Sequence, residues 1–168
     1  MGVMPHPLVT QLRFTRSEWI RGLKRVTPEE AARHIAPINP ISWMIGHLAW
    51  QEQLYFLERA QGLTPVPEVK QFGFGKPLTV PPLEDAWRWW RQVTTAADPY
   101  LDTLEGSMLT RKWKRETGGE TPGTKLLRTT YHYWFHLGES QAVRQMLGHK
   151  GLPTFIGGFG RSVYRPEP

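Results

Sequence analysis

Residues 39–61, NPISWMIGHLAWQEQLYFLERAQ, decide how this chain is read. Met44, His47, Gln51 and Leu54 recur at intervals of three, four and three, the rhythm of a seam between packed helices. Ile41, Ile45, Leu48 and Tyr55 form a second apolar stripe beside the first, so the helix is buried over a wide face. The spacing predicts a helix that starts at about Pro40, is capped by Asn39 and runs to Gln61 before Gly62. It also sets a histidine in the middle of an apolar face. Taken alone, such a residue reads as a hydrogen-bonded core imidazole, because a buried ring without partners is costly.

Three further long helical patterns flank this one. Pro7 to Val26 carries Leu8, Leu12, Trp19, Leu23 and Val26 on one stripe. From Leu83, the series Leu83, Trp87, Trp90, Thr94, Ala97, Leu101 and Leu104 alternates by four and three, with a kink or break expected at Asp98-Pro99. Thr121-Pro122 opens the last helix with a cap and an N1 proline, and it runs to about Leu147 before Gly148. A short helix starts at Thr27-Pro28-Glu29-Glu30 and ends before Pro37. Residues 63–82 hold five prolines and two glycines, which forbids a long helix. A connection of that length tends to be functional. Phe72 and Phe74 are expected to fold back over the helices. Residues 106–120 read as a polar loop. The fold class is therefore all-α, a four-helix bundle over residues 1–149 with long ordered loops. Residues 150–168, rich in Gly, Pro and aromatics, are expected as an irregular C-terminal tail packed on it.

Composition narrows the function. At 168 residues the chain is one domain with room for a core. It has no cysteine, which removes disulfides, thiolate metal sites and cysteine nucleophiles. Eight tryptophans point to a heavy core or an aromatic-lined pocket. No apolar run is long enough to span a bilayer, and the opening residues lack the apolar centre of a signal peptide, so a cytoplasmic location is expected. His6 stands where a myristoylation pattern needs Ser or Thr. The formal charge of +6 is scattered. The one cluster, Arg111-Lys112-Trp113-Lys114-Arg115, reads as solvated surface, so nucleic acid is not the expected partner.

His132 and His136 lie four apart inside the last helix, so both imidazoles project from one face about a turn apart. That spacing lets two neutral nitrogens converge on one metal ion. If the helices bearing His47 and His132 are neighbours, His47 supplies a third nitrogen from across the bundle. Three protein ligands with an open position make a catalytic rather than a structural arrangement. Gln51, one turn beyond His47, and Glu139, on the His132/His136 stripe, are the groups expected to orient the rings. Arg128 and Arg144, on the same helix, are candidates for a basic pocket edge. Trp50 and Tyr133 read as core aromatics beside the pocket. His149 suits a helix C-terminus, and His6 and His34 have no second ligand at useful spacing.

Asn39-Pro40-Ile41-Ser42-Trp43-Met44-Ile45-Gly46-His47-Leu48-Ala49-Trp50 resembles the second-helix signature of the DinB-like (YfiT/DinB) metalloenzyme superfamily. His132-Tyr133-Trp134-Phe135-His136-Leu137-Gly138-Glu139 resembles its second signature. The Asn-Pro…Trp…Gly-His stretch is also similar to the DinB-type N-terminal domain of ergothioneine sulfoxide synthases. This resemblance implies an up-down-down-up bundle, often a homodimer. It implies one divalent metal ion (zinc, nickel or iron(II)) held by His47, His132 and His136. It also implies chemistry of the thiol-dependent S-transferase kind, with a low-molecular-weight thiol as partner. Sulfoxide synthesis does not carry over, because the lectin-like domain that completes that site is absent from this sequence. A metal-dependent hydrolase, or a non-catalytic dimeric or small-ligand-binding module with a structural metal, are the other readings the residues allow.

Overall fold

The computed structural model describes residues 5–155. Its helices are α1 (Pro7–Gly22), α2 (Pro28–Ala32), α3 (Ile41–Glu52), α4 (Leu83–Leu101), α5 (Gly106–Leu109) and α6 (Pro122–Met146). A wider π-wound segment, Gln53–Arg59, continues α3, and a 3₁₀ turn spans Pro67–Phe72. Among the described residues there is no strand, only an isolated bridge between Ile35 and Ile38. No described helix is long and apolar enough to cross a membrane.

The threonine-proline starts behave as their chemistry requires. Thr27 and Thr121 each accept a backbone N–H three residues on, from Glu30 and Thr124, and the following proline gives up no hydrogen bond there. Glu30 returns the favour to the Thr27 backbone, completing a capping box. Three boundaries differ from expectation. Pro40, not Asn39, is the N-cap of α3, with no side-chain cap. The first helix stops at Gly22 rather than Val26, because Arg144 from α6 takes the carbonyls of Gly22 and Lys24 and the chain turns at Arg25 with φ 69°. α4 runs through Pro99 and ends at Leu101, so the proline falls within the last turn instead of breaking the helix. The expected loop 106–120 contains one helical turn, α5, and Glu116 folds inward to pair with Arg59 at 2.8 Å. Phe72 is buried as expected, whereas Phe74 is 91 % exposed.

Contacts between helix ends give the directions. Arg144 near the end of α6 meets the C-terminal end of α1, so these two run parallel. Arg13 near the start of α1 pairs with Asp98 and Asp102 at the end of α4, so those run antiparallel. Tyr55, beyond α3, lies under Lys125 at the start of α6, while His47 meets His136 further along it; α3 and α6 are antiparallel. The order is up, down, down, up. The parallel pair α3 and α4 requires the long crossover that residues 63–82 provide. Of the expected tail, residues 156–168 lie outside the described residues. Its start rests on the bundle, where Phe155 meets Trp134 and Arg21.

Trp19, Phe56, Phe72 and Tyr133 are the largest side chains wholly inside. Through this core runs one polar chain that touches all four long helices. The Trp90 N–H donates to the Tyr133 hydroxyl at 2.6 Å, which donates to Glu52 Oε1 at 2.7 Å. Glu52 is gripped by Arg16, whose guanidinium also reaches Asp98 at 2.8 Å. Burial alone would lower the arginine's pKa, but the Glu52 carboxylate outweighs it and keeps the guanidinium charged. Burial, then the Glu52 charge, pushes the Tyr133 hydroxyl well up, so it stays a donor. Every member has a partner, which is the condition under which such a network is tolerable in a core.

Candidate metal centre

His132 and His136 stand one turn apart on α6, with ring centroids 4.6 Å apart. His47 comes across from α3, its centroid 4.9 Å from that of His132 and 5.4 Å from that of His136. One ring nitrogen from each of the three lies within 4.8 Å of the others. The helix neighbours predicted from two separate stretches of sequence are therefore brought together.

Each ring is held from behind. Nδ1 of His47 donates to the Phe72 carbonyl at 2.6 Å, and Nδ1 of His136 lies 2.6 Å from Glu139 Oε2. With Nδ1 carrying the proton in both, the Nε2 lone pairs are free to face the gap between the helices. Trp43 and Trp50 sandwich the His47 ring at centroid distances of 4.5 and 5.2 Å and near-parallel planes. Helical spacing produces this directly, since residues four before and three after share a face. The Phe72 carbonyl reaches His47 only because residue 46 is glycine. A Cβ there would sit 2.6 Å from the Phe72 ring.

Burial lowers the pKa of His47 to about 4, with the Phe72 carbonyl opposing part of the drop. His132 falls to about 3, again chiefly through burial, helped by His136 and His47. Both are therefore neutral at pH 7, the state in which an imidazole can ligate a metal. Nδ1 of His132 and Nε2 of His136 are buried with no hydrogen-bond partner among the described residues. Buried polar atoms are otherwise almost always satisfied. Three imidazoles converging with such orphaned atoms fit a divalent cation.

Two cavities meet at the cluster. The larger, about 720 Å³, has Trp50, Tyr55, Phe74, Tyr131 and Phe135 among its walls, with Gln51 at its floor. The smaller, about 390 Å³, is more polar and carries Asn39 and Lys76. His47 and His132 face both, and His136 faces the second.

The remaining expected residues divide. Glu139 lies against the His136 ring. Gln51 does not orient a ring; it lines the larger cavity, and its buried Oε1 finds no partner among the described residues. Helical spacing puts it on the right face but leaves open which neighbour it meets. Arg144 is no pocket edge: it is drawn to the α1 carbonyls and lines neither cavity at the imidazoles. Arg128 does reach the rim of the larger cavity, but pairs there with Glu120. Tyr133 belongs to the core network, whereas Trp50 stacks on His47 and lines the cavity. His149 bonds Glu30 at 2.6 Å, and His6 caps α1 by accepting the Leu8 N–H. Sequence reasoning missed Phe72, because its contribution is a backbone carbonyl in a proline- and glycine-rich segment. It also missed the Trp43 half of the sandwich, which the spacing to His47 could have disclosed.

Compared with known families, residues 11–140 match the model of the DinB superfamily. No curated protein matches the chain.

Proposed function

Since the chain belongs to the DinB superfamily, we propose that His47, His132 and His136 hold one divalent metal ion and that this centre is catalytic. The observation that carries this reading is the convergence of three imidazoles beside an open cavity, with no fourth histidine or carboxylate joined to the group among the described residues. A closed structural site takes four protein ligands, whereas a catalytic site keeps a position open. When bound, such an ion supplies positive charge that acidifies a thiol or water in the open position.

The chain's own residues do the rest. The Phe72 carbonyl and the Glu139 carboxylate fix the tautomers of His47 and His136, so that Nε2 is the donor atom. Trp43 and Trp50 cover both faces of His47 and keep water from its ring. The proposed chemistry is thiol-dependent transfer. The thiol loses its proton to solvent, its sulfur forms a bond to an electrophilic carbon, and the leaving group departs with the electron pair. Asn39 and Lys76, which line the smaller cavity, suit the polar and anionic end of a low-molecular-weight thiol.

Elemental analysis of untagged protein, purified without chelators, tests the centre against His136→Ala. Stoichiometric metal lost in the variant supports it; equal trace metal in both refutes it. Turnover of an electrophile that requires added thiol supports transfer, and turnover without thiol assigns hydrolysis instead.

A further inference from the structure

The larger cavity is built for something other than a charged molecule. Its walls are mostly aromatic, and its volume of about 720 Å³ falls in the range of small-ligand pockets. The charges nearest to it are already engaged. Arg128 at the rim is paired with Glu120. Lys125 lies behind Tyr55, its ammonium on the ring face at 4.2 Å, and bonds Glu120 at 2.5 Å. Thr124 shares its hydroxyl with Thr121 at 3.1 Å. A carboxylate or phosphate entering here would lose water and, the proposed metal ion aside, gain no uncommitted side-chain cation among the described residues.

One neutral polar group stands uncommitted. Gln51 is 6 % exposed, and its Oε1 is buried without a partner among the described residues. An amide offers both a donor and an acceptor. Gln51 also sits one turn beyond His47, so whatever bonds it is placed beside the imidazoles.

We infer that this aromatic cleft binds a planar, uncharged molecule that carries one neutral hydrogen-bonding group, which meets the Gln51 amide. Offset and edge-on stacking against Trp50, Tyr55, Tyr131 and Phe135 supplies the area, and the amide sets the orientation. The smaller cavity, with Lys76, takes the charged partner. The two clefts thus sort an apolar acceptor from a polar thiol on either side of one centre. This assignment rests on the catalytic reading above.

Calorimetric titration tests it with 2-naphthol, 2-naphthoate and 2-naphthyltrimethylammonium, on both zinc-loaded and chelator-treated protein. The expected result is one site per chain at which 2-naphthol binds about tenfold or more tighter than either ion. Gln51→Leu is expected to weaken 2-naphthol about three- to tenfold, the worth of one hydrogen bond. Phe135→Ala, at an exposed side chain that leaves the fold intact, weakens it about fivefold. Equal or tighter binding of 2-naphthoate or of the ammonium ion, the latter through the aromatic faces, overturns the inference, as does 2-naphthol affinity unchanged in Gln51→Leu. So does a sedimenting dimer that Phe135→Ala and Tyr131→Ala dissociate, which makes the cleft a contact between copies. The chelator-treated arm reads the cleft even if the metal proposal fails.

Discussion

Glu139 Oε2 lies 2.6 Å from Nδ1 of His136, one turn back along the same helix. A carboxylate in this place fixes which nitrogen is protonated and makes the other a stronger donor. Glu139→Gln keeps the shape but lets the ring meet a neutral amide. Zinc affinity is expected to fall about 10–100-fold, measured by competition with a chromophoric chelator, with thermal stability of the metal-free protein little changed.

Gly46→Ala tests the support behind His47. The new methyl would meet Phe72 ring atoms at 2.6 Å, in a fully buried side chain that cannot swing away. Overpacking of this kind is expected to destabilise by about 1–3 kcal/mol in urea titrations. Because the Phe72 carbonyl moves with its ring, zinc affinity should fall as well. Gly138, with open space around it, is the control: Gly138→Ala leaves both unchanged or slightly raises stability.

Arg16→Met takes away the guanidinium that grips Glu52 at the centre of the bundle. The expected loss is about 3–5 kcal/mol of unfolding free energy. The double variant Arg16→Met/Glu52→Gln removes the uncompensated charge and should recover part of that loss. A double variant as unstable as the sum of its singles would show that the pair is not coupled.

Acid should weaken the metal-free protein earlier than its carboxylates require. His47 and His132 have folded pKa values of about 4 and 3, both below the ordinary 6.5. The unfolded chain therefore takes up their protons first, and stability falls as pH drops below about 6.5. The carboxylates of Glu30, Asp102 and Glu120 are also lowered, by hydrogen bonds from Thr27, Arg13 and Lys125 in turn. Their effect has the same sign but begins only nearer pH 4.5. Urea midpoints in chelator at pH 7.5, 6 and 5 should fall steadily, and His132→Asn should flatten the decline between 6.5 and 4.5.

Much of this could be read in the residues. The four-residue interval from His132 to His136 and the seam through His47 bring the three imidazoles together, because helical geometry converts spacing into direction. Thr27-Pro28 and Thr121-Pro122 mark helix starts for an equally local reason. What escaped is non-local. The Phe72 carbonyl carries no side-chain signature, and Gly46 makes sense only once the Phe72 ring is known to lie on it. Arg144 sits on the same helix as two of the imidazoles, yet its partners are carbonyls at the end of another. Arg16 and Glu52 are charges on helices read as amphipathic, and nothing in their spacing says they are buried against each other.

His47 and His132 belong to antiparallel helices joined through about half of the chain's length. A cation shared between them would act as a removable cross-link, closing the chain between residues 47 and 132 into a loop. Loops of that size restrict the unfolded ensemble strongly when tied. Withdrawing the ion should then be felt as looser breathing of α3 against α6, seen as faster amide exchange along both, while the end of α4 that Arg13 holds through Asp98 and Asp102 keeps its protection.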